Sequence, residues 1–165
     1  FEVTQILTGF VDGVATYSVE RKIGGATVSV QSFSQQLNLN GALVSDDSVV
    51  LPPTFSLGTK WVMHPGLPDP SLPDGNGRID ASIGAVNVTR TTPAGTFADC
   101  VEVNYGSRSF DTGSSQVGGG TLYFCQSAGM DIEDMNSMSE TLTFNGVSRT
   151  FLTASHQRLQ SFLLK

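Results

Sequence analysis

Cys100 and Cys125 are the only cysteines of the chain, and their placement is the first chemical clue. With Asp111 to Ser114 as the tip of a hairpin, the two thiols lie equally far from that tip and face each other across neighbouring strands. Facing Cα atoms of an antiparallel pair are roughly 4.5–5.5 Å apart, within reach of a disulfide. The pair reads either as a cross-strand disulfide, which belongs to an oxidising compartment, or as two buried free thiols acting as small apolar groups. No C-x-x-C spacing exists, which argues against redox chemistry.

A second candidate is Asp74-Gly75-Asn76-Gly77-Arg78-Ile79-Asp80. Carboxylate and amide oxygens alternate there as in the middle of an EF-hand calcium loop. The match is partial: Leu72 stands at the first ligand position, Ile83 at the closing acid, and no helix pattern flanks the stretch. Asp74, Asn76 and Asp80 are weak metal candidates, and a D-G-N-G turn between two strands explains the same residues. No cofactor is expected.

Other chemistry finds less support. His64 and His156 lie far apart in no ligand spacing, and zinc needs three or four N or S donors. There is no G-x-S-x-G elbow, and the serines lack a neighbouring histidine. Asp131, Glu133 and Asp134 cluster, and a carboxylate pair can serve as acid and base, but acids in a loop are ordinarily just solvated. Gly118-Gly119-Gly120 lacks the lysine and the helix of a phosphate-binding loop. Asn87-Val88-Thr89 fits a glycosylation sequon, a pattern common by chance.

The elements that must position these residues read as strands. Apolar residues are 39% of the 165, enough for a core and too few for a membrane protein. No apolar run nears the roughly 20 residues of a spanning helix. Fifteen acidic residues against nine basic ones give a net charge of -6, which argues against nucleic acid as a partner. The first residue is Phe1 rather than Met, and removal of a signal peptide is the ordinary expectation.

Alternating patterns predict strands at 2–9, 13–20, 26–34, 36–44, 59–64, 78–91, 96–105, 121–125 and on both sides of Asn145-Gly146, a pair suited to a type I′ turn. The tail is expected to add a last strand. Residues 65–77 and 106–120 read as loops, and 126–138 as a wall or short turn. Thr92-Pro93-Ala94-Gly95 fits a type I turn. The expectation is one all-β domain over 1–165, an antiparallel meander of about nine or ten strands. Such a sheet hides one face by curling into an open half-barrel or by stacking as a small sandwich. Trp61, Phe97, Val101, Val103 and Phe124 are the residues expected to share its apolar face.

Three ordered pieces carry a resemblance. Leu57-Gly58-Thr59-Lys60-Trp61, then Thr92 to Val103 (TPAGTFADCVEV), then Tyr123-Phe124 through Ala128-Gly129-Met130 resemble a group of bacterial exported proteins and lipoproteins with an LGTxW … TPAGTFxDCxxV … YYxAxGVGxV pattern. The resemblance covers roughly residues 50–145. Cys125 and Ser127-Ala128-Gly129-Met130 depart from the group's usual residues. The group is largely uncharacterised, so it implies no catalytic residue. It implies an antiparallel sheet curled like that of lipoprotein carriers and a periplasmic or cell-envelope location. The functional expectation is a non-enzymatic envelope protein that binds lipid, another apolar ligand or an envelope protein on a curved sheet. The alternatives are a structural or adhesive surface module and, behind it, a periplasmic hydrolase. A cavity of about 300 Å³ or more on the sheet would be ligand-sized.

Overall fold

The computed structural model describes the chain except for residues 1, 13, 38–40, 46–47, 70–71, 112 and 160–165, and the side chains of 2–5, 7, 10, 68–69 and 72–75. The described residues form thirteen strands and no helix. Their contacts divide into two compact units, Phe1–Thr54 and Phe55–Lys165.

The first unit is a five-stranded meander of β1 (Glu2–Val11), β2 (Val14–Ile23), β3 (Ala26–Leu37), β4 (Leu43–Ser45) and β5 (Ser48–Leu51), each antiparallel to the next. Asp12, in the left-handed region at φ 51°, turns β1 into β2. Tyr17 stacks on Phe33 across β2 and β3, with ring centroids 5.1 Å apart. Leu43–Ser45 and Ser48–Leu51 pair with each other as β4 and β5, Leu43 opposite Leu51 and Ser45 opposite Ser48.

The second unit holds a six-stranded antiparallel sheet in the order β13 (Val147–Arg158), β12 (Met130–Phe144), β11 (Ser114–Cys125), β10 (Gly95–Asp111), β9 (Arg78–Thr92), β6 (Lys60–His64). A small ladder of β7 (Leu67–Asp69) and β8 (Leu72–Asn76) is inserted between β6 and β9. The meander is therefore all-β and antiparallel as expected, with thirteen strands where nine or ten are legible. β5, β7 and β8 are the added strands, and other segments expected as loops lengthen their neighbours. Within 65–77, Leu67–Asp69 and Leu72–Asn76 form β7 and β8, while 106–111 and 114–120 lengthen β10 and β11 and 130–138 begin β12. Glycine and serine carry little strand signal of their own, and there the ladder on both sides imposes the extended form.

Two turns match their residue chemistry. Thr92 pairs with Gly95 around Pro93-Ala94, and Phe144 pairs with Val147 around Asn145 (φ 50°) and Gly146 (φ 76°). Both φ values are positive, as a type I′ turn demands.

The six-stranded sheet is strongly rolled at one end. The Ala94 backbone N–H, in the β9–β10 turn, donates to the Leu159 carbonyl just beyond β13 at 3.2 Å. Arg90 of β9 pairs with Glu133 of β12 although β10 and β11 run between them. In a flat sheet those strands would lie about 14 Å apart. Phe97, Cys100, Tyr123, Cys125 and Ile132 fill the rolled end, with Val88, Ala94, Ala128, Met135 and Leu159 packed against them.

Candidate functional site

The TPAGTFADC stretch builds the rolled end residue by residue. Cys100 faces Cys125 in register, Asp111 faces Ser114 at the tip, and the two sulfurs are bonded. Next to it the Asp99 carboxylate accepts hydrogen bonds from the Ser127 backbone N–H at 2.6 Å and hydroxyl at 2.8 Å, fastening the β11–β12 turn. Between Phe97 and Cys100 the register shifts, with three steps on β10 against two on β9. That bulge corrects one expectation. Strict alternation puts Phe97 with Val101 and Val103, whereas the observed Phe97 joins the cystine cluster. Val101 and Val103 are buried on the opposite face; Phe124 pairs with Val101, and half-buried Trp61 shares the row of Ala81 and Tyr105.

A polar network lies over the cystine side. Glu133 is only 4% exposed, and its carboxylate accepts from Arg90 Nε at 2.7 Å, from a second Arg90 nitrogen, and lies 2.7 Å from His156 Nε2. The Arg90 guanidinium sits 4.0 Å from the Tyr123 ring centroid. Tyr123 donates to Glu102 at 3.0 Å, Asn104 donates to Glu102 at 3.1 Å, and Thr121 donates to Asn104 at 2.7 Å. Burial works to raise the Glu133 carboxyl, but the hydrogen bonds from His156 and Arg90 outweigh it and hold that carboxyl below its ordinary value. Burial, followed by the bond to Glu102, pushes the Tyr123 hydroxyl up.

The three clustered acids are divided between the two faces of the sheet. A register shift at Tyr123/Phe124 sends Glu133 to the cystine side, while Asp131 and Asp134 take the other. There Asp134 accepts from Tyr105 at 2.9 Å and from Asn136 at 3.0 Å. Burial, then the Asp134 charge, raises the Asp131 carboxyl. His64 accepts from the Gly66 N–H at 3.0 Å and lies on β6, the strand at the opposite edge from His156. Of the calcium candidates, Asn76 spends its side-chain amide on both backbone groups of Phe110, Asp80 is paired with Arg78 at 2.8 Å, and the Asp74 side chain lies outside the described residues.

Toward the other end, the same face opens. Asp80, Gly106, Gly119, Ser137 and Ala154 stand opposite one another in one row across β9 to β13. Arg78, Arg108, Val117, Ser139 and Leu152 form the next row. Small residues in the first row leave a trough in the sheet surface. A concavity of about 660 Å³ covers β10 to β13, from Tyr105 and Gly106 to Leu152 and Ala154. It adjoins a second of about 410 Å³, lined by Arg78, Asp80, Arg108 and Phe110, through the shared Gly106, Val117 and Gly118. Val117 and Leu152 beside it are 55% and 83% exposed. None of the five expected apolar-face residues lines either concavity.

Arg90, Arg108 and Gly106 belong to no motif in the sequence, and Arg78 and Gly119 stand in motifs that point to other chemistry. The register set by the Asp111–Ser114 tip already puts Gly106 opposite Gly119 and Arg108 opposite Val117, and that was the available signal. Comparison with known proteins finds no matching family, no similar curated protein and no similar solved structure.

Proposed function

We propose that this chain is a non-catalytic binding protein of the bacterial cell envelope whose rolled sheet holds an elongated, largely apolar ligand in the trough across β10–β13. The observation that carries this reading is the continuous concavity of about 660 Å³ with exposed Val117 and Leu152 beside it. Its size falls in the range of small-molecule sites, about 300–1,000 Å³. The polar cluster at the rolled end supports a non-catalytic reading. Glu133 is already shared by Arg90 and His156, and none of the three lines the trough. The cystine supports export to an oxidising compartment. The resemblance of the TPAGTFADC stretch to exported envelope proteins supports the same location. No described helix is long and apolar enough to cross a membrane.

The test is solvent extraction of the purified full chain followed by mass spectrometry, with Ala154→Phe as a trough-filling variant. The expected result is a near-stoichiometric apolar compound in the wild type that is lost from the variant. Equal amounts in both would refute the trough as its site.

A second reading, an adhesive or structural module, is favoured by β13. It is the outer strand of the sheet, twelve residues long and exposed almost throughout, with apolar Val147, Phe151 and Leu152 on it. A bare edge of this kind templates pairing with another strand. Sedimentation of the wild type against a Thr150→Pro edge variant tests it, with assembly expected only in the wild type.

A further inference from the structure

Arg78 on β9 stands directly opposite Arg108 on β10. Like charges in facing positions of an antiparallel pair destabilise it. Asp80 answers Arg78 with two hydrogen bonds, from Nε at 2.9 Å and from a terminal nitrogen at 2.8 Å. The Arg108 guanidinium has no partner among the described residues. Both arginines line the concavity of about 410 Å³, beside Phe110 and Val117, which are 39% and 55% exposed. Counting Asp80, the group carries one net positive charge in a chain whose total is -6. A negative ligand therefore meets a repelling protein everywhere except where local cations gather.

We propose that Arg108, steered by Arg78, binds the carboxylate head of a single-chain amphiphile whose alkyl tail runs from β10 toward β13 over Gly106, Gly119 and Ser137. This deepens the trough reading above and rests on it. Arginine's planar fork matches a carboxylate with two parallel hydrogen bonds. The apolar part of the ligand then has Phe110 and Val117 beside its head and Leu152 near its end. Three strand spacings separate β10 from β13, about 14 Å of path for the tail. The ligand's charge also answers Arg108, the arginine of the facing pair that Asp80 leaves unpaired.

The experiment is isothermal titration of the full chain with decanoate, 1-decanol and decyltrimethylammonium, each below its aggregation limit, in the wild type and in Arg108→Gln. Arg108 is exposed, and circular dichroism checks that the variant folds. The expected result is that decanoate binds at least about tenfold more tightly than decanol, the ratio that roughly one charge-assisted hydrogen bond supplies. Arg108→Gln should bring decanoate to the decanol affinity and leave decanol unchanged. Equal binding of decanoate and decanol by the wild type, tighter binding of the ammonium, or an unaltered decanoate affinity in Arg108→Gln would each overturn the carboxylate site while leaving an apolar trough in place. Failure of all three compounds to bind would overturn both.

Discussion

Arg90 and Glu133 form an ion pair across the two strands that separate them, and the Tyr123 ring lies beneath the guanidinium. The contact exists only because the sheet rolls, so it reports on the roll itself. Arg90→Leu leaves a buried carboxylate with His156 as its one remaining side-chain partner. Removing one partner of a buried pair typically costs about 3–5 kcal/mol. The partial exposure of Arg90 puts the expectation near the lower end. Chemical denaturation of Arg90→Leu beside the double variant Arg90→Leu/Glu133→Leu measures it, and the double variant should recover part of the loss.

The same carboxylate sets a pH dependence. The folded value of Glu133 lies below its unfolded value, which is about 4.3. Its contribution to stability is therefore fully present above the unfolded value and is lost as pH falls through the lower folded one. Asp131 has the opposite sign: burial raises its carboxyl, so it costs stability near neutrality and the cost fades as pH falls. Glu133→Gln should flatten the acid limb of the stability curve below about pH 4. Asp131→Asn should be more stable than wild type at pH 7 and lose that advantage in acid. Urea midpoints between pH 2.5 and 7 check both signs.

The Cys100–Cys125 bond closes a loop with a sequence separation of 25. Loop-closure entropy for that length gives about 3.5 kcal/mol. Cys100→Ala/Cys125→Ala should unfold at lower denaturant by that order. Intact mass after alkylation should show no added label on the unfolded, unreduced chain and two labels after reduction. One or more labels before reduction would reject the bridge.

The legible parts of this fold are those whose cause is local. Asn145-Gly146 specifies its turn through backbone conformation, and Pro93-Ala94 does so through the fixed φ of proline. The hairpin tip alone fixes Cys100 opposite Cys125. Strict alternation assigns Phe97 to the wrong face because a single extra residue near Asp99 reverses it, and no composition signal marks that residue. Residues 106–120 read as a loop because their strand character comes from β9 and β12 rather than from their own side chains. The approach of Arg90 to Glu133 depends on the accumulated curl of four strands, which no sequence window contains. The trough lies between these cases, since its rows follow from the legible register but its depth follows from glycines that look like linker.

Those glycines make the last prediction. A Cβ at Gly119 would sit 2.5 Å from the Tyr105 carbonyl oxygen, and one at Gly120 would overlap the Met135 carbonyl and lie 2.8 Å from the Tyr105 hydroxyl. Backbone on both sides blocks relief, so β10 or β12 must move to admit a methyl. Overpacking of this kind costs about 1–3 kcal/mol. At Gly106 the nearest atom is the Gly118 carbonyl oxygen at 3.8 Å, an ordinary contact. Gly106→Ala should therefore fold with wild-type stability or gain up to about 1 kcal/mol through the unfolded chain. Gly119→Ala and Gly120→Ala should both fall well below it in thermal unfolding. Gly106 also lies where the two concavities meet. Gly106→Ala thus keeps the fold while raising the floor, and a lower affinity for decanoate in that stable variant would separate loss of space from loss of structure.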